Sequence, residues 1–424
     1  MTSRSLRPVA LLAALVLVLA ACGRPEEGAG GDGGGEPVGS PIPTGPVSGE
    51  IDVWAMGTEG ENLGVLADEY MAENPDVTVN VTAVPWEAAN QRIANAITAG
   101  EVPDVSLIGT TWMGQFAQTG GLEPTPSNFD PAAFFEGAWN TTVVDGVSYG
   151  VPWYVETRLI YYRTDLAEEA GATVPPGNWD ELKQLAQGMQ EAGAEWGISL
   201  QPGGTGAWQT FMPFAWQNGA DITDESGNFT LDSPEVVEAL EYYRSFFEEG
   251  LSPTALEPGA LETGFVEGTI GAFISGPWHI GILNDQGAEE GTWNVAHMPT
   301  EEAGTSFVGG GDLVVFKDSD NKEAAWSFVE YLSRPEVQVT WYETVNDLPA
   351  VRSAWEDEAL SGDEFLSVFG EQLDDAKSPP AIATWEEIAS VIDTQIERAT
   401  IGDASPEEAA QAMQEEASSV GTGQ

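Results

Sequence analysis

Residues 51–81 read IDVWAMGTEGENLGVLADEYMAENPDVTVNV, and this stretch decides the fold class. Its first three residues predict a strand. Apolar residues then recur at the spacing of one helix face between 61 and 74, and Pro75 ends that helix. Residues 77–81 alternate as a second strand. A strand, a helix and a strand in this order predict parallel pairing and therefore an α/β fold.

The same alternation continues along the chain. Residues 104–108 predict a further strand, and helical spacing recurs at 88–99, 180–192, 234–249, 323–332 and 385–399. In α/β sheets, ligands sit at the carboxyl ends of the strands. The segments 54–58 and 109–112 follow two predicted strands, so we expect them at a binding edge.

The N-terminus has the features of a secretory signal. Arg4 and Arg7 precede an apolar run at 9–20, which is too short to span a membrane. The run ends in Leu-Ala-Ala-Cys at 19–22, which resembles the bacterial lipoprotein box. We therefore predict that 1–22 is a lipoprotein signal peptide in which Cys22, the single cysteine, is lipidated. The alternative is an ordinary secreted protein with an unrelated cysteine.

A flexible tether is expected next. Residues 23–48 are rich in Gly, Pro and Glu, a composition that does not build a core. The remainder, 49–424, exceeds the roughly 250–300 residues at which single cores stop growing. We therefore expect two lobes.

The chain is strongly acidic, with 69 Asp and Glu against 14 Lys and Arg and a formal net charge of −55. Binding nucleic acid requires cations that neutralise phosphates, so this partner is excluded. The acids are spread over many predicted helices. We interpret them as a solvated coat of the kind that suits salty surroundings. A cation-binding surface is the alternative.

Residues suited to catalysis are scarce. With two histidines and one cysteine, a Cys/His zinc cluster is excluded. The sequence has no phosphate loop and no dinucleotide fingerprint after a strand. Carboxylate pairs are too numerous for a glycosidase pair to be selected. We predict no catalytic residue, no metal and no cofactor.

Tryptophan is the informative residue type, with fifteen in the chain. A flat ring offers a large apolar surface to the C–H face of a sugar, and nearby polar groups can bond its hydroxyls. Tryptophans beside Gly or Pro, in predicted loops, favour such a role: Trp86, Trp112, Trp153, Trp208 and Trp278. Trp196, Trp326 and Trp355 are interpreted as packing residues. The set as a whole predicts a carbohydrate cleft.

Several motifs, in order, resemble the family 1 extracellular solute-binding proteins, the maltose-binding-like receptors of ABC importers. The main motif is GVPWYVETRLIYYRTDL at 150–166. The others are PDV at 103–105, FAQTGGL at 116–122, FVEGTIGAF at 265–273, SGPW at 275–278, VGGGD at 308–312, NKEAA at 321–325 and LPA at 348–350. The resemblance runs from residue 51 to the end.

The resemblance implies a two-lobed α/β clamp of the periplasmic-binding-protein type, with the ligand between the lobes. Lobe one would hold 49–154 and about 309–352. Lobe two would hold about 156–308 and 353–424, with a hinge near 155–157. The protein would be a membrane-tethered monomer outside the cytoplasm, anchored by lipid alone. It would capture a mono- or oligosaccharide and deliver it to the permease subunits of an ABC importer, without catalysis.

The resemblance also implies roles for single residues. Trp278 would be the stacking platform of lobe two, Trp153 and Tyr154 would line the hinge wall, and Glu156 would accept sugar hydroxyls. The remaining expected ligand-binding residues are Thr58 and Glu59 in a first loop, Thr111 and Trp112 in a second, Gly310, Gly311 and Asp312 where backbone would approach the ligand, Arg352 as a clamp for vicinal hydroxyls, and Trp385 from the C-terminal region.

Two alternative functions remain open from the sequence. One is the same clamp with a non-sugar ligand, either a glycerol phosphodiester or a cationic solute. The cleft segments show few cations for a phosphate, whereas aromatic rings with acids would suit a cation. The other is a secreted glycoside hydrolase that uses the tryptophans as subsites. Release of reducing sugar would separate a hydrolase from a receptor.

Overall fold

The structure is a computed structural model, and it describes residues 39, 41–42, 45–289 and 291–423. The expected signal peptide, Cys22 and most of the expected tether lie outside these described residues. The strands are β1 (Gly49–Met56), β2 (Val77–Val84), β3 (Val105–Gly109), β4 (Val143–Val144), β5 (Val147–Ser148), β6 (Val151–Thr157), β7 (Leu159–Arg163), β8 (Ala272–Ser275), β9 (Trp293–Ala296), β10 (Ser306–Val315), β11 (Leu348–Pro349) and β12 (Ala376–Lys377).

Helices account for most of the remaining regular structure. They are α1 (Gly57–Asn62), α2 (Gly64–Glu73), α3 (Trp86–Ala99), α4 (Met113–Gln118), α5 (Glu136–Thr141), α6 (Thr164–Ala170), α7 (Trp179–Glu191), α8 (Ala207–Gln217), α9 (Pro234–Glu248), α10 (Ala260–Glu267), α11 (Trp278–Asp285), α12 (Lys322–Leu332), α13 (Pro335–Val345), α14 (Glu358–Ser361), α15 (Glu364–Gln372), α16 (Trp385–Thr400) and α17 (Pro406–Val420). Short 3-10 turns occur at Thr110–Trp112, Pro131–Ala133, Arg352–Glu356 and Leu373–Asp375.

The larger sheet has the strand order β11-β6-β10-β3-β1-β2, and β12 pairs with β10 off this path. β1 runs parallel to β2 and to β3, which confirms the β-α-β unit predicted from 51–81. Ile51, Val53 and Ala55 point into the core from alternate positions of β1. This alternation fixes the register, because a one-residue slip would expose all three side chains.

The smaller sheet has the order β8-β7-β9 and is antiparallel throughout, unlike the parallel pairing expected from alternating strands and helices. β6, β10 and β11 also pair antiparallel in the larger sheet. β6 ends at Thr157 and β7 begins at Leu159, so a single residue, Arg158, separates strands of the two sheets. The chain therefore passes from one sheet to the other without a loop.

Two hydrophobic clusters surround the sheets. One is built on the larger sheet and also takes Tyr161 and Phe273 from the smaller one, whose rings stack with centroids 4.8 Å apart. The other packs Ile160, on the opposite face of β7, against helices that include α7, α8, α9, α16 and α17. The smaller sheet is thus buried on both faces, and each large apolar side chain buried there contributes roughly 1.5–3 kcal/mol.

Part of the expected tether contacts the folded body. The Gly39 amide donates to the Thr125 carbonyl at 3.1 Å, and the Ile42 amide donates to Asn128 Oδ1 at 2.7 Å. Val47 is buried in the first cluster. Contacts with the folded body therefore begin before residue 49. The sequence composition predicts residue 49 as the start of the folded part.

The long predicted helices are confirmed with ends shifted by at most two residues at α3, α7, α9, α12 and α16. Their apolar faces are buried as the spacing predicts, with Leu182, Leu185 and Met189 on α7 as one example. Within the described part of the chain, no helix is both long enough and apolar enough to cross a bilayer.

Candidate ligand-binding cleft

A cavity of about 490 Å³ opens where β6, α11 and the α13–β11 turn meet. The two ends of this cavity belong to different sheets, since β6 lies in the larger sheet and α11 follows β8 of the smaller one. Its lining consists of Tyr154, Val155, Glu156, Pro277, Trp278, Ile280, Gly281, Asn284, Tyr342, Val345, Asn346, Asp347, Leu348, Asp363 and Leu366. It combines aromatic surface with several polar side chains.

Trp278 supplies the largest open apolar surface in this cavity. It is the first residue of α11, and 43% of its surface is exposed although it is a large hydrophobic residue. A Cβ on Gly276 would lie 2.0 Å from the indole, so only glycine leaves the ring its place. In the local sequence Gly-Pro-Trp, Pro277 precedes the helix and Trp278 begins it. Gly276 lets the Trp278 ring pack against the preceding turn.

Glu59, in α1, is buried next to Tyr154 of the cavity lining. Its carboxylate accepts hydrogen bonds from Tyr154 and Trp86, and burial raises its pKa above the ordinary value. Trp86 meets Trp112 edge-on, with ring centroids 5.5 Å apart. Glu59 therefore links the Tyr154 side of the cavity to Trp86 at the start of α3 and, through it, to Trp112 of the second predicted loop.

The cavity lining carries more acidic than basic side chains. Among the described residues that line it, Glu156, Asp347 and Asp363 carry carboxyls and none is a Lys or Arg. Asp347 Oδ2 accepts from Trp341 Nε1 at 3.1 Å. Burial, with Glu59 and Glu156 nearby, raises the pKa of Asp347 to about 8. Burial and the same carboxylates also raise the pKa of Tyr154 well above its usual range, so its hydroxyl stays a donor.

Three of the residues predicted for the site, Tyr154, Glu156 and Trp278, line this one cavity together. Glu59 contacts Tyr154 from behind it. The structure places the other loop residues outside the lining. Thr58 is exposed in α1, and Thr111 and Trp112 are half-buried in the turn before α4.

Trp153 and Trp385 lie in packed surroundings. Trp153 is 1% exposed and stacks on Trp341 at 4.7 Å. Trp385 is also 1% exposed and meets Trp208 edge-on at 4.9 Å. Both differ from the expected ligand contacts, because neighbouring elements cover these rings on all sides. Each indole Nε1 is buried, with no acceptor among the described residues.

Gly310 and Gly311 lie where atoms of the neighbouring strand β6 come too close for a side chain. A Cβ on Gly310 would lie 2.2 Å from the Tyr154 carbonyl oxygen, and one on Gly311 would lie 2.5 Å from the Tyr154 ring. Asp312 is fully buried, and both its carboxyl oxygens lie 3.1 Å from Thr141 Oγ1. These residues therefore pack β10 against β6 and α5, which differs from the expected approach of backbone to ligand.

Arg352 lines a separate cavity of about 570 Å³. Its Nη1 lies 2.6 Å from Asp374 Oδ1, and its guanidinium lies 5.0 Å from the Phe135 ring centre. Trp355, interpreted as a packing residue, lines the same cavity. The structure thus does not bring Arg352 to the cavity that holds Trp278. Arg352 begins the 3-10 turn after β11, and this turn lines the other cavity.

Sequence reasoning did not single out Arg158 or Asp347. Arg158 is 6% exposed and lies against the Trp278 ring, and Asp347 lines the cavity beside Tyr154. A usable signal existed for Arg158, since it is one of only 14 basic residues and directly precedes the apolar run 159–162. Asp347 is one acid among 69 and carries no comparable signal.

Comparisons with known proteins agree with this architecture. The family model described as bacterial extracellular solute-binding protein matches residues 56–339. A putative binding protein of Brucella abortus is 30% identical over 80% of this chain and 84% of its own length. The maltotriose-binding protein of Pyrococcus abyssi is 28% identical over 82% of this chain and 77% of its own.

A solved structure gives the same result. The sugar-binding protein MalE from Xanthomonas citri superposes with a TM-score of 0.83 at 31% identity, covering 88% of this chain and 97% of that one. This likeness confirms the predicted two-lobed α/β fold. On the extent of the family match and of the identity to its relatives, the chain belongs to the bacterial extracellular solute-binding proteins.

Proposed function

We propose that the protein captures a mono- or oligosaccharide between its lobes and delivers it to the permease of an ABC importer. The observation that carries this proposal is the exposed Trp278 ring in a cavity shared with Glu156 and Asp347. Relatives named for sugar and maltotriose binding support it.

The cavity has the chemistry that a sugar requires. The indole gives the C–H face of a pyranose an apolar surface, and carboxylates accept hydrogen bonds from its hydroxyls. Asn284 and Asn346 can both donate and accept. A volume of about 490 Å³ lies within the range of small-molecule sites. Each group stabilises a neutral, hydroxyl-rich ligand without any bond being made or broken, so no catalysis is required.

The experiment is a thermal-shift and calorimetric screen against mono-, di- and trisaccharides, because a ligand that binds only the native state raises its stability. In Trp278→Ala we expect a roughly 10- to 100-fold loss of affinity with an unchanged fold. Ile401→Ala is the matched control, since Ile401 is 44% exposed, like Trp278, but lies at the end of α16. Normal binding by Trp278→Ala would contradict the proposal.

Capture implies motion between two lobes, with the proposed boundaries at 154–156 and 308–309 and again near 352. The boundary at 154–156 falls within β6, and the boundary at 308–309 falls within β10. These two strands pair with each other. Rotation about such strands would let the lobes close on a ligand and present a closed surface to the permease. We propose that the receptor acts as a monomer.

An amine-bearing solute is a second candidate, favoured by the Glu156 and Asp363 carboxyl groups in a lining whose described residues include no Lys or Arg. An anionic glycerol phosphodiester would be repelled by the same groups. Including aminated sugars and small quaternary amines in the screen separates the classes. Binding of the amine alone, weakened by salt, would favour the second candidate over a neutral sugar. Release of reducing sugar from oligosaccharides would instead indicate a hydrolase.

We propose that Cys22 anchors the protein by lipid to the outer face of the cell membrane. The Leu-Ala-Ala-Cys motif at 19–22 supports this, together with a basic, apolar leader. In Cys22→Ala we expect loss from the membrane fraction or a block in processing. A variant that stays membrane-bound and processed like the wild type would contradict the anchor.

A further inference from the structure

Arg158 occupies the crossing point between the two sheets. It is the one residue between β6 and β7, and Ser306 at the start of β10 fixes its backbone. The Arg158 amide donates to Ser306 Oγ at 3.3 Å, and its carbonyl accepts from the same hydroxyl at 2.8 Å. The guanidinium therefore extends from a point where three strands hold the main chain.

The Arg158 side chain is 7% exposed and meets few polar groups. Nη2 donates to Gln209 Oε1 at 2.6 Å and lies 3.4 Å from Glu156 Oε1. Nη1 is buried and meets no acceptor in the part of the chain that the structure describes. Instead Cζ lies 4.8 Å from the Trp278 ring centre and 5.0 Å from that of Phe307.

A buried cation is costly unless its neighbours compensate its charge. Two of the neighbours here, Glu156 and Trp278, are also the side chains that face the cleft. If Trp278 rotated away, Arg158 would lose one of the two aromatic faces against which it lies. A planar guanidinium also holds its partners in a fixed geometry that an ammonium cannot reproduce. Arg158 thus couples the orientation of the ring to that of the carboxylate.

We propose that Arg158 is a positioning residue that pre-organises the cleft, holding the Trp278 ring and the Glu156 carboxylate in the arrangement that receives the ligand. The ligand class rests on the proposed function, but the positioning itself does not. Pre-organisation raises affinity because less side-chain freedom is lost on binding. Arg158 itself is buried beneath these groups and does not line the cavity.

The first test needs no ligand. The protein is labelled with 5-fluorotryptophan, and the Trp278 resonance is assigned by its loss in Trp278→Phe. We expect Arg158→Met to shift and broaden this resonance, because the ring loses its fixed partner. Arg92→Met is the matched control, since it removes a guanidinium that lies 4.0 Å from the Trp54 ring centre. It should leave the Trp278 resonance unchanged.

The second test measures saccharide affinity in a double-mutant cycle. Arg158→Met should weaken binding about tenfold in the wild-type background, and by a smaller factor when Trp278 is already replaced by Leu, because only the contact with Glu156 is then lost. Equal losses in both backgrounds would show that Arg158 acts without Trp278 and would overturn the proposal. Failure of the wild type to bind any saccharide would overturn the sugar assignment, while the fluorine spectrum would still decide the positioning.

Two further variants serve if Arg158→Met does not fold. Gln209→Leu removes the acceptor of Nη2 without altering the charge, and Arg158→Lys keeps the charge without the planar contact. Both should shift the Trp278 resonance in the same direction by a smaller amount. A Trp278 resonance identical to wild type in both variants would overturn the proposal.

Discussion

The fully buried Asp312 makes a specific prediction about pH. Its carboxyl oxygens lie 3.1 Å from the Thr141 hydroxyl, which also lies 2.6 Å from the Ala138 carbonyl. A hydroxyl has one hydrogen and cannot donate to both acceptors at once. A protonated Asp312 resolves this conflict, because it can donate to Thr141 while Thr141 donates to Ala138. Burial accordingly raises the pKa of Asp312 from 3.8 to about 8.

The magnitude follows from proton linkage. Between about pH 4 and pH 8 the native state still holds a proton that the unfolded chain has already released. The free energy of unfolding therefore falls as pH rises through this window. Each pH unit accounts for about 1.4 kcal/mol, which gives a loss of about 5 kcal/mol across the window. Asp312→Asn is neutral at every pH and keeps both a donor and an acceptor. It should therefore equal the wild type near pH 4 and exceed its stability near pH 8.

The assay is a set of thermal and denaturant melts of wild type and Asp312→Asn at several pH values. The difference between the two proteins isolates the Asp312 carboxyl, because other titrating groups are common to both. Thr141→Val is the companion variant, since it removes the hydroxyl and keeps the carboxyl. It should lose stability at all pH values, and its stability should still fall as pH rises, because burial continues to raise the pKa of Asp312 without the Thr141 hydrogen bond that lowers it. A difference between wild type and Asp312→Asn that stays constant with pH would refute the reasoning.

Three further outcomes are expected. Gly310→Ala should lower the free energy of unfolding by several kcal/mol in denaturant melts, because its Cβ would meet the Tyr154 carbonyl at 2.2 Å and its φ is +129°; wild-type stability would contradict this packing. The melting temperature should rise as sodium chloride goes from 0.1 M to about 1 M, since a net charge of −55 repels itself less when screened; a flat or falling midpoint would show that the acidic coat does not destabilise the fold. The radius of gyration from small-angle scattering should fall when the saccharide found in the screen is saturating; superimposable curves would exclude lobe closure.

Local pattern was sufficient to predict the elements and the exposed position of Trp278. Alternation and helical spacing predict β1, β2 and α7, because a half-buried strand or helix repeats its apolar residues with its own period. Trp278 could be predicted for a similar reason. It follows Gly276 and Pro277, which end a strand and place the next side chain at the surface.

The same flanking pattern predicts an accessible ring at Trp153, which is buried. A local pattern does not show which other elements cover a side chain. Pro152 precedes Trp153 much as Pro277 precedes Trp278, yet β6 lies between β10 and β11, and Trp341 stacks on the ring. Arg158 shows the same limit, since Gln209 follows it by 51 positions. Such contacts arise from tertiary packing, which local spacing does not encode.

The glycine triplet at 309–311 has a mechanical consequence. It lies where β10 pairs with β6 along one edge and begins to pair with β3 along the other, and the register with β6 shifts between Gly311 and Asp312. Because glycine has the widest range of backbone conformations, we expect this length of β10 to bend more readily than its neighbours. A bend at these glycines would open the cleft at a small cost in free energy. A permease could then release the ligand without unfolding either lobe. Amide hydrogen exchange should then be faster at these glycines than along the rest of β10.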